Sequence, residues 1–251
     1  MSNLKYIDEI KTVTEKIDEQ ADKIKEAAKI CADVIYSGKM VHVFGTGYSS
    51  IAVQDIFPRN GSNLGWHPIL DPKLIWMNVK NVDDINFILE KEEKEGYIES
   101  VLNRYSLKEG EAIVIFSQSG ANACAVDAAL YAKKHGLKVI GISSYDNYVY
   151  GKKSAHSTSK KLYDIADIYI DNACPLRDAL IKIDGYPSQV GAGSTVAALL
   201  AGQSILTETA FLLNEMGHKI YTLETQFVES CPKDWTRYVF GKYWDLLEKN
   251  K

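Results

Sequence analysis

The sequence has no close cysteine pairs. Its four cysteines, Cys31, Cys124, Cys174 and Cys231, are scattered, and no C-x-x-C spacing joins any two. In a chain of 251 residues that distribution excludes a disulfide framework and a thiolate zinc site, and implies reduced thiols. Long apolar runs are also missing. The longest, Val196 to Ala201, falls far short of the roughly 20 residues that cross a bilayer as a helix. There is no basic excess, with 29 Lys and Arg against 33 Asp and Glu and a net charge of −4. Nucleic acid and anionic membrane surfaces are therefore not expected as partners. The first residues, Met1 to Glu9, mix charged and apolar side chains. They lack the basic and apolar regions of a signal peptide, so a soluble cytoplasmic protein is expected.

Several catalytic motifs are absent too. No G-x-x-x-x-G-K-[ST], G-x-S-x-G or H-E-x-x-H occurs, which removes P-loop nucleotide hydrolysis, the α/β-hydrolase elbow and zincin proteolysis. Gly45-x-Gly47 follows an apolar run, but Ser50 stands where a dinucleotide fingerprint needs its third glycine.

What is present is a repeated alternation. With 46% apolar and 25% charged residues, the composition suits a single domain over residues 1–251. Residues 4–36 carry Ile7, Ile10, Val13, Ile17, Ile24, Ala27, Ala28, Cys31 and Ile35 at helical spacing, closed by Ser37-Gly38. This predicts one long N-terminal helix or two in succession. Short buried-strand patterns follow at 41–44, 112–116, 138–142 and 168–170, with another short strand beside Pro68. Helices are predicted after the first of these, at about 122–134, and at about 194–216 before Gly217. Alternating strands and helices give an α/β fold with a parallel sheet covered on both faces, and its strand-end loops share one rim.

That rim is rich in Ser, Thr, Gly and Asn. Gly45-Thr46-Gly47-Tyr48-Ser49 follows the first strand, Ser117-Gln118-Ser119-Gly120-Ala121-Asn122 the second, and Ser143-Ser144 the third. Ser117 to Asn122, between a strand and a helix, has the chemistry of an anion cradle. Its hydroxyls and amides donate, Gly120 lets the backbone approach, and the helix start offers free N–H groups. No Lys or Arg falls within the loop. Neutral donors must carry the binding, at about 1.5–3 kcal/mol for each charge-assisted bond.

The residues at these positions resemble the SIS (sugar isomerase) phosphosugar-binding superfamily. They are most similar to a bacterial family of stand-alone SIS proteins assigned to phosphosugar isomerisation by similarity alone. The matching stretches are Phe44-Gly45-Thr46-Gly47-x-Ser49, His67-Pro68-Ile69-Leu70-Asp71-Pro72 and Ser117-x-Ser119-Gly120-x-Asn122. Two later ones are His156-Ser157 through Lys161-Leu162-Tyr163 into Ile170-Asp171-Asn172, and Gly193-Ser194-Thr195-Val196. The likeness spans about residues 5–217. It implies a three-layer α-β-α sandwich with a flavodoxin-like sheet, and a homodimer or homotetramer whose sites lie near subunit interfaces.

On this basis the expected activity is aldose–ketose isomerisation of a sugar with an anionic C6 group, a phosphate first. A sulfonated hexose such as sulfoquinovose, a non-catalytic phosphosugar sensor and a sugar-phosphate lyase or etherase are the alternatives. Ser117, Gln118, Ser119, Gly120 and Asn122 would hold the anion. Gly45, Thr46, Gly47, Ser49, Ser143, Ser144, Ser194 and Thr195 would line the remainder of the site. Proton transfer between adjacent carbons needs a carboxylate or histidine, and the pool is Asp55, His67, His156 and Glu208. Asp55 aligns with a catalytic glutamate of phosphoheptose isomerases, but Gln54 replaces its acidic neighbour, and an Asp55–Arg59 pair is the competing role. His42, alternating with Val41 and Val43, is expected in the core. The 194–216 helix has no histidine where phosphoheptose isomerases supply one, and neither metal nor other cofactor is expected. The aromatic segment 221–251 is expected to dock on its own domain.

Overall fold

The computed structural model describes residues 4–75, 79–225 and 227–250. The N-terminal residues Met1, Ser2 and Asn3, used in the reading of the leader, lie outside these. Strands β1 (Val41–Gly45), β2 (Trp66–Ile69), β3 (Ala112–Phe116), β4 (Lys138–Ser143) and β5 (Ile168–Asp171) form one parallel sheet in the order β2-β1-β3-β4-β5. β1 and β3 are buried along their whole length, as the uniform apolar runs require of central parallel strands.

Each face of the sheet has its own core. On one, Val41, Val43, Val114 and Phe116 pack with the N-terminal helices α1 (Lys5–Asp18) and α2 (Ala21–Tyr36), and with α3 (Ser50–Ile56). The long helix (Ser194–Glu215, α8 below) completes that layer. On the other, Phe44, Ile69, Ile113 and Ile115 pack against α5 (Tyr97–Leu102) and α6 (Ala123–Lys134), with α4 (Val82–Glu92) at its margin. This is the three-layer sandwich the sequence led us to expect.

The N-terminal segment resolves into two helices because periodicity breaks at Glu19–Gln20. The Gln20 side chain there bonds the backbone of Asp171 in both directions, at 2.8 and 2.9 Å. α7 (Tyr145–Tyr150) follows β4, and a separate antiparallel hairpin, β6 (Ala179–Lys182) with β7 (Gln189–Ala192), precedes α8. The aromatic tail forms α9 (Trp235–Lys249), whose Val239, Trp235 and Tyr243 pack on the first core. α8 is long and apolar enough to cross a membrane by length and composition. Here Ala197, Ala201, Ile205 and Leu213 are buried in the domain core instead.

Gly65, just before β2, has φ +115°, and a Cβ there would lie 2.5 Å from the Ile35 side chain. Gly38 has φ +80° but open space around it. Gly65→Ala is therefore expected to cost about 2–4 kcal/mol, from backbone strain plus overpacking. Gly38→Ala should cost about 1 kcal/mol, from strain alone. Thermal unfolding of the two variants should separate them in that order, at about 2–4 °C per kcal/mol. Equal loss would contradict the packing of α2 beneath β2.

Candidate functional site

The chain leaves β1 towards β2 and returns to β3 on the other side of β1. The crossovers therefore diverge between the C-terminal ends of β1 and β3, which makes a crevice in open parallel sheets. Gly45 is paired with Phe116, so Thr46 and Ser117 leave the sheet side by side.

In the loop after β3, the Ser117 hydroxyl accepts the Gly120 N–H at 3.1 Å, and the Ser119 hydroxyl accepts the Ala121 N–H at 3.2 Å. Each oxygen is thus fixed by the backbone while its own proton stays available to donate. Asn122 caps α6 by accepting the Ala125 N–H at 2.9 Å, and its amide N–H groups are not used in the cap. The first-turn N–H groups of α6 lack intrahelical acceptors and add the positive end of the helix dipole. Gly120 has φ +60°, and a Cβ there would stand 2.9 Å from Ser143 Oγ. This assembly can bind an anion through neutral donors. The nearby ammonium of Lys161 is spent on the carbonyls of Asn147 and Tyr148, at 2.8 and 3.0 Å.

Other rim residues expected to touch a ligand are committed to the scaffold. Gln118 is held at both ends of its amide, by Asn172 Nδ2 at 2.6 Å and the Pro175 carbonyl at 3.3 Å. Ser143 bonds Tyr169 Oη at 3.1 Å, while Ser144 bonds the Cys174 carbonyl at 2.6 Å and caps α7. At the start of α8, the Ser194 and Gly193 N–H groups donate to Asp178 Oδ1 at 2.7 and 3.1 Å. The anion position beside Ser194 and Thr195 is thereby filled by the chain's own carboxylate. Ser49 and Gly47 remain beside Thr46 in the turn that opens α3.

The four proton-transfer candidates are not brought together. Asp55 lies in the last turn of α3, paired with Arg59 and accepting from Gln203 Nε2 at 2.7 Å. The ion pair, the competing role for Asp55, is formed. His67 opposes His42 near the beginnings of β2 and β1, at the end of the sheet remote from the serine loops. Burial and the neighbouring His42 push its pKa down to about 4. Glu208 lies 14 residues beyond Ser194, about 21 Å along α8 at 1.5 Å per residue. It lines a groove with Thr14, Asp18 and Lys25.

His156 does reach the rim. The Ala155 N–H donates to the Ala121 carbonyl at 2.9 Å, tying this segment to the cradle. Both imidazole nitrogens are occupied. Nδ1 accepts the Thr158 N–H at 3.1 Å, and Nε2–H donates to the buried Asp127 carboxylate at 2.9 Å. His156 is therefore a brace.

Sequence reasoning missed two carboxylates, Glu92 at the end of α4 and Glu95 just beyond it. Both lie against the first turns of α6: the Lys91 carbonyl accepts from Cys124 Sγ at 3.3 Å, and Asp127 Oδ2 accepts the Gly96 N–H at 2.7 Å. Glu92 is buried, and burial raises its pKa above the usual glutamate value, partly offset by the Thr46 side chain. Glu95 is exposed and held by the Ser157 hydroxyl and N–H at 2.7 and 2.9 Å, which lower its pKa. His156 Nε2 lies 3.4 Å from it. The run of charge from Glu90 to Glu95 looks like a solvated helix face, and nothing local marks Glu92 as buried.

Comparison with known proteins agrees with this architecture. The SIS domain family model matches residues 5–144. A UPF0309 protein of Oceanobacillus iheyensis is 31% identical over 245 residues, covering 97% of this chain and 95% of its own. Another, from Thermoanaerobacter pseudethanolicus, is 38% identical over 183 residues, 72% of each chain. Among solved structures, phosphoheptose isomerase GmhA from Neisseria gonorrhoeae superposes with a TM-score of 0.53 at 12% identity. That match covers 82% of this chain and 95% of GmhA, and it shares the fold. The chain therefore belongs to the SIS-domain family and is related to the bacterial UPF0309 proteins.

Proposed function

We propose that this protein is an aldose–ketose isomerase whose substrate is a sugar phosphate. The observation that supports it best is the cradle at the β1/β3 crevice. There Ser117, Ser119 and Asn122 are anchored through their acceptor oxygens and left with donors to spare. Such pre-set donors suit a dianionic or monoanionic tetrahedral group.

Isomerisation also needs a base for the proton on carbon and a donor for the carbonyl oxygen. Groups whose surroundings drive their pKa values apart are natural acid and base partners. Glu95, kept ionised by Ser157, would take and return the carbon-bound proton. Glu92, whose pKa is raised by burial, would supply a proton to the oxygen. An enediol then forms with atoms and charge conserved. His156 and Asp127 act as positioning residues that hold the Glu95 turn against α6.

Binding and turnover are tested with hexose 6-phosphates, heptose 7-phosphate, N-acetylated amino-sugar 6-phosphates and sulfoquinovose, first by thermal shift and then in D₂O by NMR. A stabilising sugar phosphate with deuterium entering at C1 or C2 is the expected result. Binding without exchange makes the protein a sensor, and a response to sulfoquinovose alone changes the substrate to a sulfonate. No response to any anionic sugar removes the cradle reading. Gly120→Ala is expected to weaken binding by about tenfold or more, because its methyl meets Ser143 at a strained φ.

Glu95→Gln should lower kcat by about 10²–10⁴ with little change in binding. In the wild type, the base must be ionised, so activity is lost as pH falls through the lowered pKa of Glu95. The acid must be protonated, so activity is lost as pH rises through the raised pKa of Glu92. A bell-shaped kcat/KM profile follows, and Glu92→Gln should flatten its alkaline limb. An alkaline limb unchanged in that variant would remove Glu92 from the mechanism.

A further inference from the structure

The end of the sheet opposite the serine rim carries a second cavity, of about 280 Å³, that isomerisation does not use. It lies in the layer of α2 and α8, where Gly38 follows α2, Gly65 precedes β2 and His218 follows α8. The tail helix α9 forms the remaining wall. Asn250 pins its end there, with Nδ2 donating to the Gly38 carbonyl at 3.1 Å. The inner surface is aliphatic. Ile35, Leu64 and Leu213 are buried, and Ile220 and Leu246 are half-buried.

The mouth is cationic, in a chain whose net charge is −4. Lys219, Lys242 and Lys249 line it against one carboxylate among the described lining residues, Asp245. Lys242 lies 3.8 Å from Asp245, while neither Lys219 nor Lys249 has an ion-pair partner among the described residues. The Lys219 ammonium rests over the Tyr221 ring at 5.1 Å, and that of Lys242 over Tyr238 at 5.6 Å. A ring face uses only part of an ammonium's three donors. Capping does not account for these lysines either. The Gly38 N–H already donates to the Ile35 carbonyl at 2.9 Å, and the His218 N–H to that of Leu213 at 2.9 Å. With His218 neutral, three ammoniums and one carboxylate leave two positive charges. The C-terminal ends of α2 and α8, at about half a negative charge each, offset about one of them. About one positive charge therefore faces an aliphatic interior.

We propose that this cavity binds an aliphatic monocarboxylic acid with a body of about eight carbons. Its chain lies against the Ile and Leu side chains, and their removal from water drives the binding. These branched aliphatic walls suit a flexible chain rather than a flat ring. The carboxylate stays at the mouth, where it accepts from the lysine ammoniums. A single negative charge matches the charge that the helix ends leave unbalanced, and a dianion exceeds it. Length follows from volume. At ~30 Å³ for each water-sized group, 280 Å³ holds about nine heavy atoms. Chain and head together touch α2, α8 and α9, so the ligand ties the tail helix to the domain. The site does not depend on what occupies the serine rim.

The test is a calorimetric titration of the full chain with octanoate, with the methyl resonances of Leu213, Leu246 and Ala121 followed by NMR. Saturable binding with Kd below about 1 mM is expected. Leu213 and Leu246 should shift, and Ala121, in the cradle, should not. Hexanoate, two methylenes shorter, should bind about tenfold more weakly. Octylammonium, with the same tail and the opposite charge, should lose about tenfold or more. Lys219→Ala combined with Lys249→Ala, both at exposed positions, should weaken octanoate by about tenfold or more. The unfolding temperature and the response to sugar phosphates should stay unchanged in that variant. Lys233→Ala, exposed and outside the cavity, should leave octanoate binding as it was. No heat and no shift at about 10 mM octanoate overturns the proposal. Equal affinity for octylammonium, or full affinity in the double variant, overturns it as well. So does a shift at Ala121 with none at Leu213 and Leu246, because the probe then sits in the cradle.

Discussion

The parallel pairing of β1 with β3 is the constraint on which the site depends. Gly45 opposite Phe116 brings two loops out of the sheet at one level, and the diverging crossovers leave a crevice between them. Strand pairing by itself makes only a gap. It becomes a cradle because the loop after β3 satisfies its own backbone with serine oxygens, so Gly120 and Ala121 need no other acceptor. The same bonds use the serine oxygens as acceptors and leave their protons to donate. α6 then begins directly beneath, capped by Asn122, and its dipole adds to the same point in space.

Neutral donors and displaced acidity are the two halves of the proposed site. Lys161 is turned to the end of α7, while two carboxylates, Glu92 at the end of α4 and Glu95 just beyond it, lie against the first turns of α6. Their environments differ sharply over three residues. Glu92 turns inward to Thr46, where losing water favours the neutral acid. Glu95 turns outward to Ser157, where two donors favour the anion. The Asp127–His156 pair joins α6 to both the 95–96 turn and the 155–158 segment. It thus fixes that difference to the helix that forms the cradle.

The same central strands carry opposite chemistry at their two ends. At one, backbone and hydroxyl donors are left free at the surface. At the other, His42, His67 and Glu111 are drawn into the protein and covered by α9, whose Tyr243 ring lies 6.2 Å from His67. β2 is an edge strand, and the tail helix packs against residues beside it, Phe57 included. Edge strands left uncovered invite unwanted pairing. The aromatic tail therefore protects the sheet and shapes the second cavity at once.

The cradle could be read from the chain because its parts are contiguous. A strand, a Ser-x-Ser-Gly-x-Asn turn and a helix start occupy Ala112 to Lys134, and local hydrogen bonding completes them. The layering was legible too, since buried parallel strands and an amphipathic N-terminal segment write their periods into the sequence. Proton-transfer residues were not legible, because their roles depend on partners far along the chain. Asp55 meets Gln203, Ser194 meets Asp178, and Glu95 meets Ser157. His67 looked like a catalytic histidine until register placed it opposite His42, at the wrong end of the sheet. Sequence by itself determined the elements and the one site built from neighbours. Only the tertiary structure decided which charges are buried, paired or free, because burial and Coulomb interaction depend on distance in space.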